Sequence, residues 1–346
     1  MKLKKISDPQ WNSKTRKFAY VQTHMNEEEN KYISNIYVGK VDSNISPITY
    51  GKHRNHSPRW SPCGKKLAFV SDRNDRLQIY VINVNDGEAE QITTCLNGAT
   101  NPVWSPCGMK LLFSTPVTSN EKLSDNHLAI VDLQTKEMIH LTEEGSGYGS
   151  ATFSPDGNYV AYATNKEDDS KQPEVTDIFM MNLHTKEKKK ITNSNGYFST
   201  ISWSPDGKKI GFLGKQKEYS ASFKRVWIYN LQLEQLINLS EGLDLEAAMV
   251  KEEDLQSGIV NPGLMWTDDS EGFYFLVSDQ GNSGVYYGSL DGAMYPIVLE
   301  QEKILGMTMI TSSHEAIIVS STTVNLEKLY HLDFINQTRV HIRRGK

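Results

Sequence analysis

Short apolar runs alternate along the chain with clusters of Ser, Pro, Asp, Asn and Gly, and the clearest stretch lies between Ser57 and Thr93. There Ser61-Pro62-Cys63-Gly64 precedes the apolar run Leu67-Ala68-Phe69-Val70. A polar stretch from Ser71 to Arg76 leads into Gln78-Ile79-Tyr80-Val81-Ile82-Asn83, and a second turn around Asp86-Gly87 leads into Ala89-Glu90-Gln91-Ile92-Thr93. Pro presets φ for a turn and Gly supplies the positive φ that a tight hairpin needs. Turn-punctuated runs of this kind predict four antiparallel strands.

The pattern repeats. Pro58-Arg59-Trp60-Ser61-Pro62-Cys63-Gly64 is echoed by Pro102-Val103-Trp104-Ser105-Pro106-Cys107-Gly108, by Phe153-Ser154-Pro155-Asp156-Gly157 and by Trp203-Ser204-Pro205-Asp206-Gly207. The turn glycines are separated by 44, 49 and 50 residues. Weaker copies flank these: Pro9-Gln10-Trp11-Asn12 before Phe18, and Met265-Trp266-Thr267-Asp268-Asp269 before Phe273. A last unit keeps only strands, at Leu305 to Ile310, Ala316 to Val319, Leu329 to Leu332 and Arg339 to Ile342.

A period of this length marks a repeat architecture whose units cannot bury both faces alone. The expectation is an all-β, seven-bladed β-propeller of four-stranded antiparallel blades with no strand shared at closure. A β-sandwich would not need one phrase in every quarter of the chain. Six blades with a terminal strand pair is the alternative. The blades are expected at about 1–51, 52–95, 96–144, 145–194, 195–241, 259–300 and 301–346, with an insertion at 242–258, all in one domain of 346 residues.

Three polar stretches lengthen the link between second and third strands: Thr23 to Lys31, Asn165 to Val175 and Lys215 to Phe223. All three should emerge on one rim, as long solvated hairpins or as a rim that faces a partner domain. Within the insertion, Leu245 to Leu255 is rich in helix formers, with Asp244 placed to cap a short helix. Its acidic end, Glu252-Glu253-Asp254, reads as a solvated charge run, or as a cover for the channel mouth.

Charge and chemistry narrow the function. Lysine plus arginine number 37 and aspartate plus glutamate 42, a net charge of −5 with the signs interspersed, so no basic field exists to hold nucleic acid. No apolar run approaches the roughly 18–20 residues that span a bilayer. The start Met1-Lys2-Leu3-Lys4-Lys5-Ile6-Ser7 lacks the apolar core of a signal peptide, so a cytoplasmic location is expected.

Three cysteines argue against a disulfide framework. Cys63 and Cys107 stand where other turns carry Asp156 and Asp206, and read as tolerated exposed turn residues rather than a metal pair, with Cys95 unmatched.

No Gly-x-Ser-x-Gly elbow occurs; in Gly145-Ser146-Gly147-Tyr148-Gly149 the serine is one position early and sits in a link between blades. The nine histidines are scattered, and His53 and His56, the nearest pair, have no Cys or carboxylate at ligand spacing. No Gly-rich phosphate loop precedes a helix. The sequons at Asn44, Asn55, Asn238 and Asn336 read as chance. No catalytic, cofactor-binding or metal-ligating residue is therefore assigned, and no cofactor is expected.

The phrase Trp-Ser-Pro-Asp-Gly, followed by Lys-Lys-Ile-x-Phe, then Ile-Tyr, then Ile-Thr, resembles two families. One is the propeller of the periplasmic Tol-system protein; the other is the N-terminal propeller of prolyl-oligopeptidase-type serine peptidases, especially acylaminoacyl peptidases and dipeptidyl aminopeptidases. Asn55 to Arg73 looks like the second blade of the peptidases, and Gly87 to Thr93 like the strand closing it. The resemblance covers nearly the whole chain. It implies a non-catalytic domain that covers the active site of a larger peptidase and gates short peptides. Its partner would be an α/β-hydrolase domain carrying the catalytic Ser, Asp and His, which this chain lacks. A chain that starts and stops with a blade fits an excised domain. Oligomers are possible, and a free-standing interaction scaffold is the alternative function.

Overall fold

The computed structural model describes residues 4–85, 87–119, 122–142, 148–165, 175–216, 223–244, 246–247, 262–279, 282–300, 302–322 and 327–343. Seven separate antiparallel sheets of four strands each follow one another in chain order. They comprise β1(Lys4–Trp11), β2(Phe18–Asn26), β3(Lys31–Gly39), β4(Ser46–Pro47); β5(Asn55–Trp60), β6(Lys66–Ser71), β7(Gln78–Asn83), β8(Glu90–Gln91); and β9(Thr100–Trp104), β10(Lys110–Ser119), β11(Lys122–Asp132), β12(Met138–His140). Then come β13(Tyr148–Phe153), β14(Tyr159–Asn165), β15(Thr176–Asn182), β16(Lys188–Lys190); and β17(Gly196–Trp203), β18(Lys209–Gln216), β19(Arg225–Asn230), β20(Gln235–Asn238). The last two sheets are β21(Met265–Trp266), β22(Gly272–Asp279), β23(Asn282–Ser289), β24(Met294–Glu300); and β25(Lys303–Ile310), β26(Glu315–Ser321), β27(Lys328–Asp333), β28(Thr338–His341). The seventh unit is a complete sheet, so the ring has seven blades rather than six.

The first strands of neighbouring sheets pack against one another, β25 on β1, β1 on β5, β5 on β9, and onward to β17, which puts them nearest the axis. The apolar core is divided among the gaps between sheets. Phe69 and Tyr80 of the second blade pack with Ala19 and Ile36 of the first. Phe212 and Trp227 of the fifth pack with Ala161 and Ile178 of the fourth. Phe18 and Tyr20 of the first meet Ile317, Val319 and Leu329 of the seventh, closing the circle. Each fully buried Phe contributes on the order of 1.5–3 kcal/mol. Among the described residues no strand is shared between the first and last sheets.

The repeated phrase is the hairpin joining first and second strands. Ser61 Oγ accepts the N–H of Lys66 and Ser154 Oγ that of Tyr159, at 3.0 and 2.9 Å, so the serine closes the turn. Gly64 has φ +70°, a value an L side chain rarely adopts, and a Cβ there would fall 2.4 Å from Asn12 Oδ1 of the preceding turn. Successive turns stack in this way around one face of the ring.

Outer strands are shorter than the pattern suggests: β4 and β8 have only two residues each. The threonine of each Ile-Thr motif explains why. Thr93 Oγ1 accepts the N–H of Ile79 at 2.9 Å and donates to Gln78 Oε1 at 2.7 Å. Thr142 and Thr192 accept from Leu128 and Ile178 in the same way. A hydroxyl thus replaces the next backbone partner, and the ladder can stop.

Thr23 to Lys31 is the expected hairpin, and its strands reach further than the apolar pattern: β2 runs to Asn26 and β3 starts at Lys31, paired throughout. The third blade also has a longer hairpin than its sequence signals, with β10 and β11 paired out to Ser119 and Lys122. In both, polar residues continue a ladder whose apolar alternation has stopped, so pattern alone ends the strand early. The stretches within 166–174 and 217–222, the expected helix apart from Glu246 and Ala247, and Glu252, Glu253 and Asp254 lie outside the described residues. Glu246 and Ala247 are described, and the Ser278 N–H donates to Glu246 O at 2.9 Å, tying the insertion to β22.

Candidate functional site

In five of the seven blades the innermost segment is interrupted three residues before its tryptophan. Asp8, Ser57, Asn101 and Thr200 all have φ between +48° and +60°, and Gly263 has φ +70° at the equivalent place. Register shifts fall at the same points, between Ser7 and Gln10, His56 and Arg59, and Ser199 and Ser202. Such bulges bend a strand and re-aim its side chains, and they gather beside functional sites. Two of the indoles bridge from the second and third blades to the blade before: Trp60 Nε1–H donates to Gln10 O at 3.0 Å and Trp104 Nε1–H to Arg59 O at 2.9 Å.

The channel edge also carries an ion pair. Arg59 Nη1 donates to both oxygens of Asp8, at 3.1 and 2.9 Å, and Gln10 Nε2 donates to Asp8 Oδ1 at 2.8 Å. The Asp8 side chain is only 4% exposed. This pair joins the first and second blades at their innermost strands. Sequence reading missed it, because the first unit has Asp8-Pro9-Gln10-Trp11 where the second has Ser57-Pro58-Arg59-Trp60, and neither residue type repeats.

His53 and His56 are drawn apart. His53 Nδ1 lies 3.8 Å from Asp72 Oδ1. His56 Nδ1 lies 3.0 Å from Ser57 Oγ, while its buried Nε2 has no partner. Burial, reinforced by the Arg54 charge, pulls the His56 pKa down to about 4. A nucleophile–base pair needs a base matched to working pH and a third group orienting its far nitrogen. This serine–histidine contact has neither, and Ser57 is a bulge residue.

Cys63 and Cys107 are exposed, Cys95 is buried, and all three are free thiols. Among the described residues no three His, Cys, Asp or Glu side chains converge as a metal site. Gly145, Ser146 and Gly147 lie outside the described residues, and Tyr148 begins β13.

The two ends of the ring differ. The turns between first and second strands, and between third and fourth, form one face. The hairpins between second and third strands and the links between blades form the other, where β1 begins and β28 ends. This hairpin face exposes the apolar side chains of Met25, Tyr32, Tyr50, Leu96, Tyr197 and Phe223, while the turn face exposes Met109, Leu233 and Ile335. Tyr50 and Leu96 are 70% and 82% exposed. A cavity of about 220 Å³ opens in the first blade, lined by Lys4, Gln22, His24, Asn35 and Tyr37.

Residues 3–121 match the TolB beta propeller domain family. Over 99% of the chain the fold superposes on the acylaminoacyl peptidase of Pyrococcus horikoshii, with a TM-score of 0.74 at 18% identity, covering 52% of that chain. The fold is a seven-bladed β-propeller similar to the one in that structure. The β-propeller domain of the Trilobed protease from Pyrococcus furiosus, described as having an open velcro topology, matches over 99% of both chains with a TM-score of 0.70 at 18% identity. In sequence, the chain is 35% identical over 354 residues to a Bacillus subtilis protein described as the uncharacterized peptidase YuxL. That match covers 92% of this chain and 53% of the relative, so the propeller spans about half the length of the peptidases it resembles.

Proposed function

We propose that this chain is the propeller of a longer serine peptidase, covering its active site and admitting short peptides. The single observation that carries the reading is the 35% identity to a peptidase across 92% of the chain but only 53% of the relative. The hairpin face supports it. An α/β-hydrolase domain joined at either end would lie on that face, where Tyr50, Leu96 and Phe223 offer apolar contact. Three free thiols suit a reducing, cytoplasmic setting.

In this reading the chain performs no bond cleavage. It supplies a wall, whose channel edge is set by the bulges at Asp8, Ser57, Asn101 and Thr200. It excludes substrates too large to pass. The test compares the longer protein, the same protein with the propeller deleted, and the 346-residue chain on chromogenic acyl-peptides of increasing length. Selectivity for short peptides should depend on the propeller, and the chain alone should match the buffer blank. Hydrolysis by the chain alone would overturn the proposal.

A further inference from the structure

We propose that Cys63 and Cys107 are a pair of activated thiols on the turn face, a modification site for hydroperoxides and carbon electrophiles. The inference stands apart from the peptidase reading.

The argument comes from comparing four turns of one geometry, whose glycines Gly64, Gly108, Gly157 and Gly207 have φ between +70° and +75°. In two of them the side chain before the glycine is a carboxylate. Asp156 Oδ1 accepts the Ser154 hydroxyl at 2.5 Å and the Asn158 N–H at 3.0 Å. Asp206 Oδ1 accepts the Ser204 hydroxyl at 2.6 Å and the Lys208 N–H at 3.0 Å. The turn is thus a built niche for a small anion, with a hydroxyl and a backbone amide as donors.

In the second and third blades a sulfur occupies this niche. Ser61 Oγ lies 3.4 Å from Cys63 Sγ, and Ser105 Oγ 3.3 Å from Cys107 Sγ. A thiolate there inherits the donors that serve aspartate elsewhere. The serine hydroxyl, followed by the Lys65 amide, holds the Cys63 thiol below its ordinary range. The Ser105 hydroxyl does the same for Cys107, helped by the Met109 amide. Reactivity follows thiolate fraction and access, and both thiols are exposed. Cys95 is the internal contrast, since burial pushes its thiol up. The two turns are also neighbours, because a methyl built on Gly108 would rest 3.6 Å from Pro62 Cδ.

With an alkyl halide the thiolate sulfur forms an S–C bond and halide leaves with the electron pair. With a hydroperoxide the sulfur bonds the terminal oxygen and the O–O bond breaks. Sulfur is oxidised by two electrons to the sulfenic acid, and the departing oxygen takes a proton to become the alcohol or water.

The experiment labels the folded 346-residue chain with iodoacetamide across a pH series and reads each cysteine by peptide mass spectrometry. Cys63 and Cys107 should alkylate with a pH midpoint below that of the same thiols in denaturant, while Cys95 stays protected. Ser61→Ala should slow Cys63 several-fold at neutral pH without altering Cys107, and Ser105→Ala the reverse. Ser61→Thr, which keeps the hydroxyl, should restore the rate, and continued protection of Cys95 reports that each variant folds. After hydrogen peroxide, a dimedone adduct should appear on Cys63 and Cys107 alone. Midpoints equal to the denatured control, serine variants without effect, or no dimedone adduct would each overturn the assignment.

Discussion

Arg16 Nη2 bonds both carboxylate oxygens of Glu315, at 2.8 and 2.7 Å, joining the first blade to the seventh. This is the one gap in the ring that no link between consecutive blades crosses. Nearby, the Trp11 N–H donates to Thr308 Oγ1 at 3.0 Å and His331 Nε2 lies 3.0 Å from Glu315 Oε1. Side chains hold the seam where a shared ladder would otherwise do so.

The seam should therefore be the first part of the ring to open. Amide hydrogen exchange should run faster in β1 and β25 than in β9 and β13, because local openings follow the weakest contacts. Arg16 is half exposed, so Arg16→Ala should cost only about 0.5 kcal/mol. Thr308→Val leaves a backbone N–H unpaired and should cost about 1–2 kcal/mol more. Equal protection in β1 and β9 would contradict the side-chain closure.

Asp8 should be among the least tolerant positions of the chain. Asp8→Ala leaves the Arg59 guanidinium without its carboxylate in a largely buried place, which costs about 3 kcal/mol or more. Asp8→Asn should cost less, since Asn tolerates the φ of +48° and keeps an acceptor. Urea unfolding midpoints of the two variants check the order.

The threonines that end the ladders should matter through their hydroxyls. Thr192 Oγ1 accepts from Ile178 N at 3.0 Å and donates to Asp177 Oδ1 at 2.6 Å. Thr192→Val strands the buried Ile178 N–H at nearly constant volume and leaves Asp177 Oδ1 with only the Ser194 N–H, and should cost about 1–3 kcal/mol. Thr192→Ser should recover most of that loss in thermal unfolding.

His56 should make stability depend on pH in mild acid. Its pKa is lowered from 6.5 to about 4 in the fold, so between those values the unfolded chain binds the extra proton. Stability is then full above about pH 6.5 and falls as pH drops toward 4, by about 3 kcal/mol at most. His56→Gln, neutral throughout, should flatten the curve in that window. An unchanged curve in denaturant titrations would show that His56 is not the group responsible.

Much of this architecture is written in residues that repeat. Ser61, Gly64 and Trp60 recur because each closes, bends or bridges the same turn, and Thr93 recurs because its hydroxyl ends the outer strand. The channel edge was not legible. Its bulge is a backbone state that Asp8, Ser57, Asn101 and Thr200 share while having no side chain in common. The Asp8–Arg59 pair joins residues of different blades that no repeat predicts. Cys63 and Cys107 were visible as substitutions for aspartate, but the donors around them appear only once the turn is built. The hairpin face was hidden for another reason: its apolar residues come from unrelated links and show no periodicity.

We propose that this propeller gates a peptidase and does not itself cut. The most direct test is the rate at which the longer protein cleaves a matched pair, a short acyl-peptide and the same sequence within a folded domain, with and without the propeller. The account predicts a strong preference for the short peptide that disappears when the propeller is deleted, with no cleavage by the propeller alone. Equal preference with and without it, or cleavage by the propeller alone, would contradict the account.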